Sequence, residues 1–218
     1  MKIIVGNKAY SSWSLRGWLA LKQSGLAFEE EVVSLYDDAW LSRRAQPDIA
    51  PSGGKVPILW DGDVAVWESL AIIDYLADKV GQDRFWPVDG AARGFARSIA
   101  SEMHAGFADL RAECPTVFRR TFPPMPVSAE VQANVDRIVH LWSEALTRFG
   151  GDGGFLFGDF SAADIMFAPV TTRFTTYSLP VPEVAADYCR RVQAHPFVKE
   201  WIDAAHQEPW VIEKFEQR

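Results

Sequence analysis

The chain has 218 residues, of which 48% are hydrophobic and 23% are charged, and its formal net charge is −7. This composition is typical of a globular protein with a sizeable core, organised as one large domain or two modest ones. The 22 lysines and arginines are spread along the chain, which argues against a nucleic-acid-binding surface.

Cysteines, histidines and the N-terminus narrow the class of protein further. Cys114 and Cys189 are far apart in the sequence, and the four histidines show no metal-ligand spacing with each other or with the cysteines. We therefore expect neither a disulfide framework nor a metal site. The N-terminal apolar run, Ile3 to Val5, is too short for the core of a signal peptide or for a membrane span. We expect a cytoplasmic protein that has no membrane partner.

The first eighty residues alternate between strand and helix patterns. The segment KIIV predicts a buried strand, and the apolar positions from Ser12 to Lys22 predict a helix that Gly25 ends. FEEEVVSL predicts a second strand and DDAWLSRRAQ a short helix. SGGKVPIL leads into a third strand, Asp61-Gly62 is a hairpin signal before a fourth, and a helix begins at about Glu68. The order β-α-β-α-β-β-α predicts a small sheet with one parallel crossover and a closing hairpin.

The pattern beyond residue 80 is wholly helical. VGQDRFWPVDG is rich in Gly, Pro and Asp, which predicts a linker over residues 81–90. One long amphipathic helix is predicted from Phe95 and another from Val131, and the proline cluster FPPMPVS separates them. The first of these helices is indicated by the series Ile99, Met103, Phe107 and Leu110. Later helices are predicted in SAADIMFAPVTTRF, VPEVAADYCRRVQAH and PFVKEWIDAAHQ. The chain therefore divides into a sheet domain at 1–80 and an all-helical domain at 91–218.

The stretch GNKAYSSWSLRGWLAL places serines where the first strand gives way to the first helix. Unpaired backbone N–H groups at the start of a helix favour a nearby anion, and that anion could be a thiolate. Such a site lowers a thiol pKa from about 8.5 into a range of roughly 3.5 to 7.5. The alternative interpretation is that Ser11 or Ser12 only caps the helix.

The stretch GKVPIL contains an X-Pro bond at the head of a strand. If the Val56-Pro57 bond is cis, the backbone of Val56 turns outward and an extended peptide could pair with it. An ordinary proline at the first residue of a strand is the alternative.

The stretch WESLAIIDYL places Glu68 and Ser69 at the beginning of a helix. Donors there could hold a substrate carboxylate, and the acidic side chain could pair with a substrate ammonium group, as an amino acid ligand requires. The alternative is a capped helix with an acidic first turn. All three stretches are predicted at the same end of one small sheet.

Four motifs in register, SSWSLRGWLAL, GKVPIL, WESLAIIDYL and FGDFSAADIMFAPV, resemble those of the glutathione transferase superfamily over nearly the whole chain. SSWSLR is similar to the Ser-Ser-Cys-Ser-x-Arg signature of the zeta class, whereas KVP with Glu-Ser resembles the theta class. The resemblance implies an α/β, thioredoxin-like N-terminal domain followed by an all-α glutathione-transferase domain. In the fourth motif, Ser161 and Asp164 form a capping box that starts a buried helix.

The resemblance also implies roles for individual residues. Ser11 would donate a hydrogen bond to the glutathione sulfur, with Ser12 as the neighbour that could take its place. The remaining implied glutathione contacts are the Val56 backbone, the cis Pro57, Glu68 and Ser69 at the γ-glutamyl end, and Lys55 at the glycyl carboxylate. Arg16 would belong to the structural part of the motif. Arg43 and Arg44 could reach a glutathione carboxylate, although solvated surface charges are the alternative.

The second substrate has weaker indications in the sequence. Trp13 stands where the zeta signature has cysteine, which puts thiol-dependent isomerase chemistry in doubt and places a large aromatic group at the mouth. From SEMHAGFADLR, the candidates are His104, Phe107 and Arg111, predicted one helical turn apart. Arg173 and Tyr177, at i and i+4 on a later helix, are further candidates.

The sequence thus predicts a glutathione transferase that activates the glutathione thiol for attack on a hydrophobic electrophile, with glutathione as co-substrate and no metal. The resemblance implies a homodimer. Two alternatives remain open. One is a glutathione-transferase-like binding or regulatory protein without catalysis. The other is a different glutathione-dependent reaction, such as cis-trans isomerisation of the zeta type, dehalogenation or peroxide reduction.

Overall fold

The computed structural model describes residues 1–217, and its N-terminal part is built on a four-stranded sheet. The strands are β1 (Lys2–Gly6), β2 (Glu29–Val33), β3 (Ile58–Asp61) and β4 (Val64–Val66), in the spatial order β2-β1-β3-β4. β1 and β2 are parallel, whereas the β1–β3 and β3–β4 pairs are antiparallel. The predicted parallel crossover and closing hairpin are confirmed.

Three helices accompany the sheet: α1 (Ser12–Ser24), α2 (Asp38–Arg43) and α3 (Ser69–Val80). The predicted end of α1 is confirmed, because Gly25 adopts the left-handed conformation (φ 72°) that glycine tolerates best. Alternate residues of β1 point to opposite faces of the sheet. Ile3 and Val5 join the main core with α1 and α3, whereas Ile4 belongs to a smaller cluster on the other face.

The second part of the chain is helical. Its helices are α4 (Gly90–Ala105), α5 (Ala108–Glu113), α6 (Ala129–Phe149), α7 (Ala162–Thr176), α8 (Glu183–Ala194), α9 (Pro196–Gln207) and the short α10 (Glu213–Glu216). α7 is buried along almost its whole length. The capping box at its start is confirmed, with reciprocal hydrogen bonds between Ser161 and Asp164. None of the helices within residues 1–217 is long and apolar enough to cross a bilayer.

The segment predicted as a linker is packed against both parts of the molecule. It contains a single 3-10 turn, Gln82–Arg84, after which Phe85 and Trp86 are buried. The carbonyl of Phe85 accepts a hydrogen bond from the amide of Ala162 at 2.9 Å, at the start of α7. The segment therefore fixes the sheet part against the helical part.

The prediction of one continuous helix from Phe95 to Leu110 is wrong at one point. α4 ends at Ala105, Gly106 is extended (φ −105°, ψ −168°), and Phe107 adopts a left-handed conformation (φ 60°) before α5 begins. Glycine is a poor helix former, and Arg111 stabilises the break because its guanidinium donates to the carbonyls of Met103 and Gly106. His104 and Arg111 consequently lie on two different helices.

Candidate functional site

A cleft of about 690 Å³ lies where the sheet part meets the helical part. It is lined by the start of α1, the segment before β3, the residues just before α3, the α5 region, α7 and the C-terminal segment. It brings together most of the predicted site residues: Ser11, Ser12, Trp13, Lys55, Val56, Pro57, Glu68, Arg111 and Arg173. The segment of residues 35–44 also lines it, so residues from seven separate parts of the chain meet in one cavity.

Ser11 is the N-cap of α1, and its hydroxyl is engaged within the cap. Its Oγ accepts from the Ser14 amide at 3.2 Å and donates to the Ser14 Oγ at 2.8 Å. The Ser14 Oγ in turn accepts from the amide of Gly6 at 2.9 Å, which ties the end of β1 to α1. Ser14 has a hydroxyl proton of its own, so a rotation of both hydroxyl groups reverses the bond and frees the Ser11 proton for a ligand.

Ser12 is the first residue of α1 and is also buried, with 6% of its surface exposed. Its Oγ accepts a hydrogen bond from Nη2 of Arg173 at 3.4 Å. The two neighbouring serines therefore have different surroundings. Ser11 faces the backbone donors of the helix N-terminus, whereas Ser12 faces a guanidinium of the helical part.

The Val56-Pro57 peptide bond is cis, as the motif predicted. Val56 lies outside the paired register of β3, which begins at Ile58. The preceding loop is held by Ser52, whose Oγ accepts from the amide of Lys55 at 2.9 Å and donates to its carbonyl. The Val56 backbone is thus presented at the cleft by an ordered loop and not by a ladder of strand hydrogen bonds.

Arg43 and Arg44, adjacent in sequence, have separate environments. Arg43 pairs with Glu31 and Asp48, and these hydrogen bonds lower the pKa of both carboxyl groups. Arg43 does not line the cleft. Arg44 does, and its guanidinium packs against the loop so closely that a Cβ on Gly54 would lie 2.7 Å from its Nε.

Glu68 and Ser69 mark the start of α3. Glu68 has a positive φ (43°, with ψ 148°), which a non-glycine residue seldom adopts, and its side chain is half exposed toward the cleft. Ser69 is 1% exposed, and its Oγ has no hydrogen-bond partner among residues 1–217. A buried hydroxyl without a partner is costly. Glu68 therefore offers an acidic group to the cleft. Ser69 does not line the cleft, and its unused donor lies at the start of α3, beside the N–H groups of the first turn.

Trp13 forms the wall of the cleft between the two parts of the molecule. The guanidinium carbons of Arg16 and Arg111 each lie 4.7 Å from the centroid of its ring. His104 meets the ring edge-on at 5.3 Å, and its Nε2 is 3.8 Å from Oε2 of Glu68. Burial lowers the pKa of His104, which keeps the imidazole neutral at pH 7.

Arg111, Arg173 and Arg16 form a cluster of three guanidinium groups. Arg173 is 4% exposed and Arg16 is fully buried, and Nε of Arg173 donates to the Cys114 carbonyl at 2.9 Å. Burial lowers the pKa of Arg111 to about 10 and that of Arg173 to about 9, and it lowers the pKa of Arg16 as well. Arg111 and Arg173 remain protonated near pH 7, so their charges produce a positive potential beside Ser12.

Three of the predicted second-substrate residues do not line the cleft. Phe107 is buried at the break between α4 and α5, and His104 lies behind Trp13. Tyr177 is buried, and its hydroxyl donates to the carbonyl of Pro115 at 2.8 Å. The predicted spacing of one helical turn fails between His104 and Phe107, because α4 ends at Ala105. It holds between Phe107 and Arg111, since Phe107 is the N-cap of α5 and its carbonyl accepts from the Arg111 amide at 3.1 Å.

Sequence reasoning missed several residues of the cleft. Thr116 lies in a segment without periodic pattern, and Phe215 approaches from the C-terminal end of the chain. The C-terminal segment is tied back by Glu216, whose carboxylate accepts from the Tyr10 hydroxyl and from Arg119 and Arg120. Aromatic residues Tyr10, Tyr36, Trp40 and Trp67 complete the walls. Tyr10 and Trp67 stand directly before the predicted site residues Ser11 and Glu68, whereas Thr116 and Phe215 lie far from any motif that indicates the site.

Within residues 1–217 there is no group of three or more His, Cys, Asp or Glu side chains that could hold a metal ion. Cys114 and Cys189 are both buried.

Two family profiles match most of this chain. Residues 10–79 match the glutathione S-transferase N-terminal domain, and residues 126–204 match the glutathione S-transferase C-terminal domain. The chain is 28% identical over 171 residues to Protein IN2-1 of Zea mays, an alignment that covers 77% of this chain and 63% of the maize protein. The chain therefore spans less than two thirds of the length of that relative.

Solved structures show the same fold. A glutathione transferase homolog from Burkholderia gl BGR1 with bound glutathione superposes with a TM-score of 0.70 at 22% identity, covering 94% of this chain and 97% of that one. A maleyl pyruvate isomerase, described as a bacterial glutathione S-transferase in the zeta class, superposes with a TM-score of 0.72 at 19% identity, covering 97% and 100%. The predicted fold class, a thioredoxin-like domain followed by an all-helical domain, is confirmed.

Proposed function

Because this chain belongs to the glutathione S-transferase family, we propose that it binds glutathione in the cleft and activates the glutathione thiol for attack on an electrophile. One observation carries the proposal. The N-terminal ends of α1 and α3 and the cis Val56-Pro57 segment all open on the same cavity of about 690 Å³. Each supplies the type of group that one part of a γ-glutamyl tripeptide requires.

The residues present fit glutathione at its γ-glutamyl end. The Ser69 hydroxyl, buried without a partner among residues 1–217, and the N–H groups of the first turn of α3 would bind the α-carboxylate. The Glu68 carboxylate would pair with the α-ammonium group. The backbone of Val56 would pair with the cysteinyl residue in an extended conformation, and Lys55 and Arg44 would attract the glycyl carboxylate.

Ser11 would hold the sulfur. Its position at the N-cap of α1 places a hydroxyl donor and the positive end of the helix dipole beside one another, which stabilises a thiolate against the thiol. The guanidinium groups of Arg111 and Arg173, next to Ser12, would add a positive potential that also stabilises the thiolate. The proton of the thiol is released to solvent when the thiolate forms.

The chemical step follows from thiolate stabilisation and proximity. The cleft would hold an electrophile against Trp13 and Arg111, beside the sulfur, so that a bimolecular reaction becomes an effectively unimolecular step between two bound groups. The electrophilic carbon supplies the remaining reactivity, because the chain only has to ionise the thiol and orient the partner.

The test is a calorimetric titration with glutathione, followed by the ultraviolet absorbance of the thiolate in the complex as a function of pH. We expect binding, with a thiol pKa at least about one unit below that of free glutathione. Binding without any pKa depression would contradict thiol activation and favour a binding protein without catalysis. Absence of binding would contradict the whole proposal.

We also propose that the protein forms a homodimer, as the family resemblance implies. Trp67, which lines the cleft, exposes 42% of its surface, and Val64 at the start of β4 exposes 50%. Burial of these apolar side chains against a second copy of the chain would be favourable. Light scattering at several protein concentrations measures the mass in solution. A mass equal to that of one chain at all protein concentrations would contradict the proposed homodimer.

A further inference from the structure

The loop between β1 and α1, residues 7–11, leads to the proposed sulfur-binding Ser11 and is held by the helical part of the molecule. The amide of Ser11 donates to the carbonyl of Asn7 at 2.8 Å, so the position of Asn7 fixes the backbone at the N-cap of α1. Nε1 of Trp201 donates to the carbonyl of Lys8 at 3.0 Å. The geometry of this N-cap therefore depends on groups that are distant in the sequence.

Glu208, the residue directly after α9, supplies a carboxylate to the same loop. Its Oε1 accepts from Nδ2 of Asn7 at 2.5 Å, and its Oε2 accepts from the amide of Ala9 at 2.7 Å. Asn7 is fully buried and Glu208 is 9% exposed. None of the ion pairs among residues 1–217 includes Glu208. Burial without a cation, at the negative end of a helix, is costly for a carboxylate.

Attachment of the C-terminal segment does not require this carboxylate. The guanidinium of Arg119 donates to the backbone carbonyls of Glu208 and Trp210, both at 2.7 Å. Further along the segment, the carboxylate of Glu216 accepts from the Tyr10 hydroxyl. These contacts hold the segment through its backbone and through a different side chain. The Glu208 side chain adds the two hydrogen bonds to the loop.

Two acceptor oxygens are needed at position 208 because both partners are donors. The Glu208 carboxylate also orients the Asn7 amide, since Nδ2 has to face the carboxylate. Oδ1 of Asn7 then accepts from the amide of Leu35 at 2.7 Å, and Leu35 lines the cleft. A glutamine at position 208 has one acceptor oxygen, so its NH₂ group would meet one of the two donors. One carboxylate thus fixes the loop before Ser11 and the segment after β2 together.

We propose that Glu208 is a positioning residue for thiol activation. By binding Asn7 and Ala9 it holds the loop so that the Ser11 hydroxyl faces the glutathione sulfur. Glu208 does not line the cleft, so it acts through the backbone of residues 7–11 and not on a substrate directly. The effect on the thiol rests on the proposed function, whereas the effect on the loop does not.

The first test is Glu208→Gln, followed by the ultraviolet absorbance of the thiolate in the glutathione complex. We expect the thiolate-to-thiol ratio at a given pH to fall by about threefold to tenfold, because the loop loses a hydrogen bond to a charged group. The decisive comparison repeats the substitution in Ser11→Ala. Because Glu208 acts through the Ser11 hydroxyl, the ratio should change there by less than about twofold. An unchanged ratio in Glu208→Gln, or an equal fall in both backgrounds, would overturn the proposal.

The matched control is Ser128→Ala. It removes the N-cap of α6, where the Ser128 hydroxyl accepts from the amide of Val131, and Ser128 does not line the cleft. This variant loses stability without a change in the loop, so the thiolate-to-thiol ratio should stay at its native value. A fall equal to that in Glu208→Gln would show a general effect of lost stability, and the proposal would be wrong.

Amide hydrogen exchange of the free protein measures the loop without glutathione. In Glu208→Gln the amides of Ala9 and Ser11 should exchange at least about tenfold faster than in the native protein, while those of α6 keep their native rates. If Glu208→Gln does not fold, Glu208→Asp takes its place. It keeps the charge and is shorter by one methylene, so both effects should have the same sign and be smaller.

The two measurements separate the positioning role from the proposed function. Native exchange rates in the loop of a folded Glu208 variant would overturn the positioning role, even where the native protein ionises glutathione. Faster exchange in the loop, together with a native protein that does not ionise glutathione, would contradict the proposed function and still support the hold of Glu208 on the loop.

Discussion

The two halves of the cleft are built on different physical principles. In the half that belongs to the sheet, the polar groups are backbone donors of helix N-termini, a cis peptide segment and short side chains attached to them. In the helical half the polar groups are long cationic side chains that reach the cavity from separate helices. Burial of these charges costs free energy. Backbone donors are fixed by the local fold, whereas the positions of long charged side chains depend on how the helices pack.

The largest expected effect concerns the helix that carries Arg173. The Asp164 carboxylate accepts from the amides of Leu156 and Ser161, and from the hydroxyls of Ser161 and Tyr188. Asp164→Ala leaves these buried donors without an acceptor, and we expect the free energy of unfolding to fall by about 3 kcal/mol. Chemical denaturation measures this change. A loss below about 1 kcal/mol would mean that α7 does not depend on its cap.

The same group gives the helical half a pH dependence. Burial raises the pKa of Asp164 to about 6, above the value of about 4 in an unfolded chain. Between these two values the folded protein keeps a proton that the unfolded chain has released. The contribution of Asp164 to stability is therefore full below about pH 4 and falls as the pH rises to about 6. We expect the free energy of unfolding of the native protein, minus that of Asp164→Asn, to decrease by about 2 kcal/mol between pH 4 and pH 6. A difference that does not change with pH would contradict the raised pKa.

A smaller effect is expected at the sheet half, from the γ-glutamyl site. Glu68→Ala combined with Ser69→Ala removes one charge partner and one hydroxyl donor. Glutathione affinity should fall by roughly thirtyfold, with the thiol pKa at saturation unchanged, because neither group faces the sulfur. Calorimetry gives the affinity and the absorbance of the thiolate gives the pKa. Equal affinity in the double variant would remove the proposed γ-glutamyl site.

Ser11→Ala tests which serine holds the sulfur. Loss of a hydrogen bond to a charged acceptor is worth about 1.5 kcal/mol, so the thiol pKa of bound glutathione should rise by about one unit. The variant also loses the N-cap of α1, at a cost of about 1 kcal/mol of stability. Ser12→Ala is the matched control, since Ser12 faces Arg173. A pKa rise confined to Ser12→Ala would transfer the role to that residue.

The smallest effect separates two adjacent arginines. Arg44→Ala should weaken glutathione binding by about threefold, as expected for a half-exposed charge that faces a carboxylate. Arg43→Ala should leave the affinity unchanged and lower stability by less than about 1 kcal/mol, because its partners are Glu31 and Asp48. Competition binding measures the glutathione affinity of both variants. A larger loss of affinity in Arg43→Ala than in Arg44→Ala would contradict the assignment.

Features that depend on a few neighbouring residues were predictable from the sequence. The N-cap serine, the left-handed Gly25 and the capping box at Ser161 each follow from local backbone chemistry, and the structure contains all of them. The cis Val56-Pro57 bond, which the family resemblance implied, is present as well. The sheet topology followed too, because the order of strands and helices leaves few ways to close a small sheet.

The break at Gly106-Phe107 shows where local reasoning ends. The apolar spacing from Ile99 to Leu110 fits one helix, and a glycine within it is a tolerable cost. The helix ends here because the guanidinium of Arg111, which lies in α5, donates hydrogen bonds to the carbonyls of Met103 and Gly106. A side chain that competes for backbone carbonyls leaves no periodic signal.

The sequence by itself determined the fold class and the local structure of the sheet half of the cleft, because those depend on caps, turns and period. Only the tertiary structure decided the other half. Arg16, Arg111 and Arg173 come from α1, α5 and α7, and no pattern in the sequence indicates that they meet without a carboxylate. The energy of a buried charge depends on what surrounds it in space, and those surroundings exist only once the helices have packed.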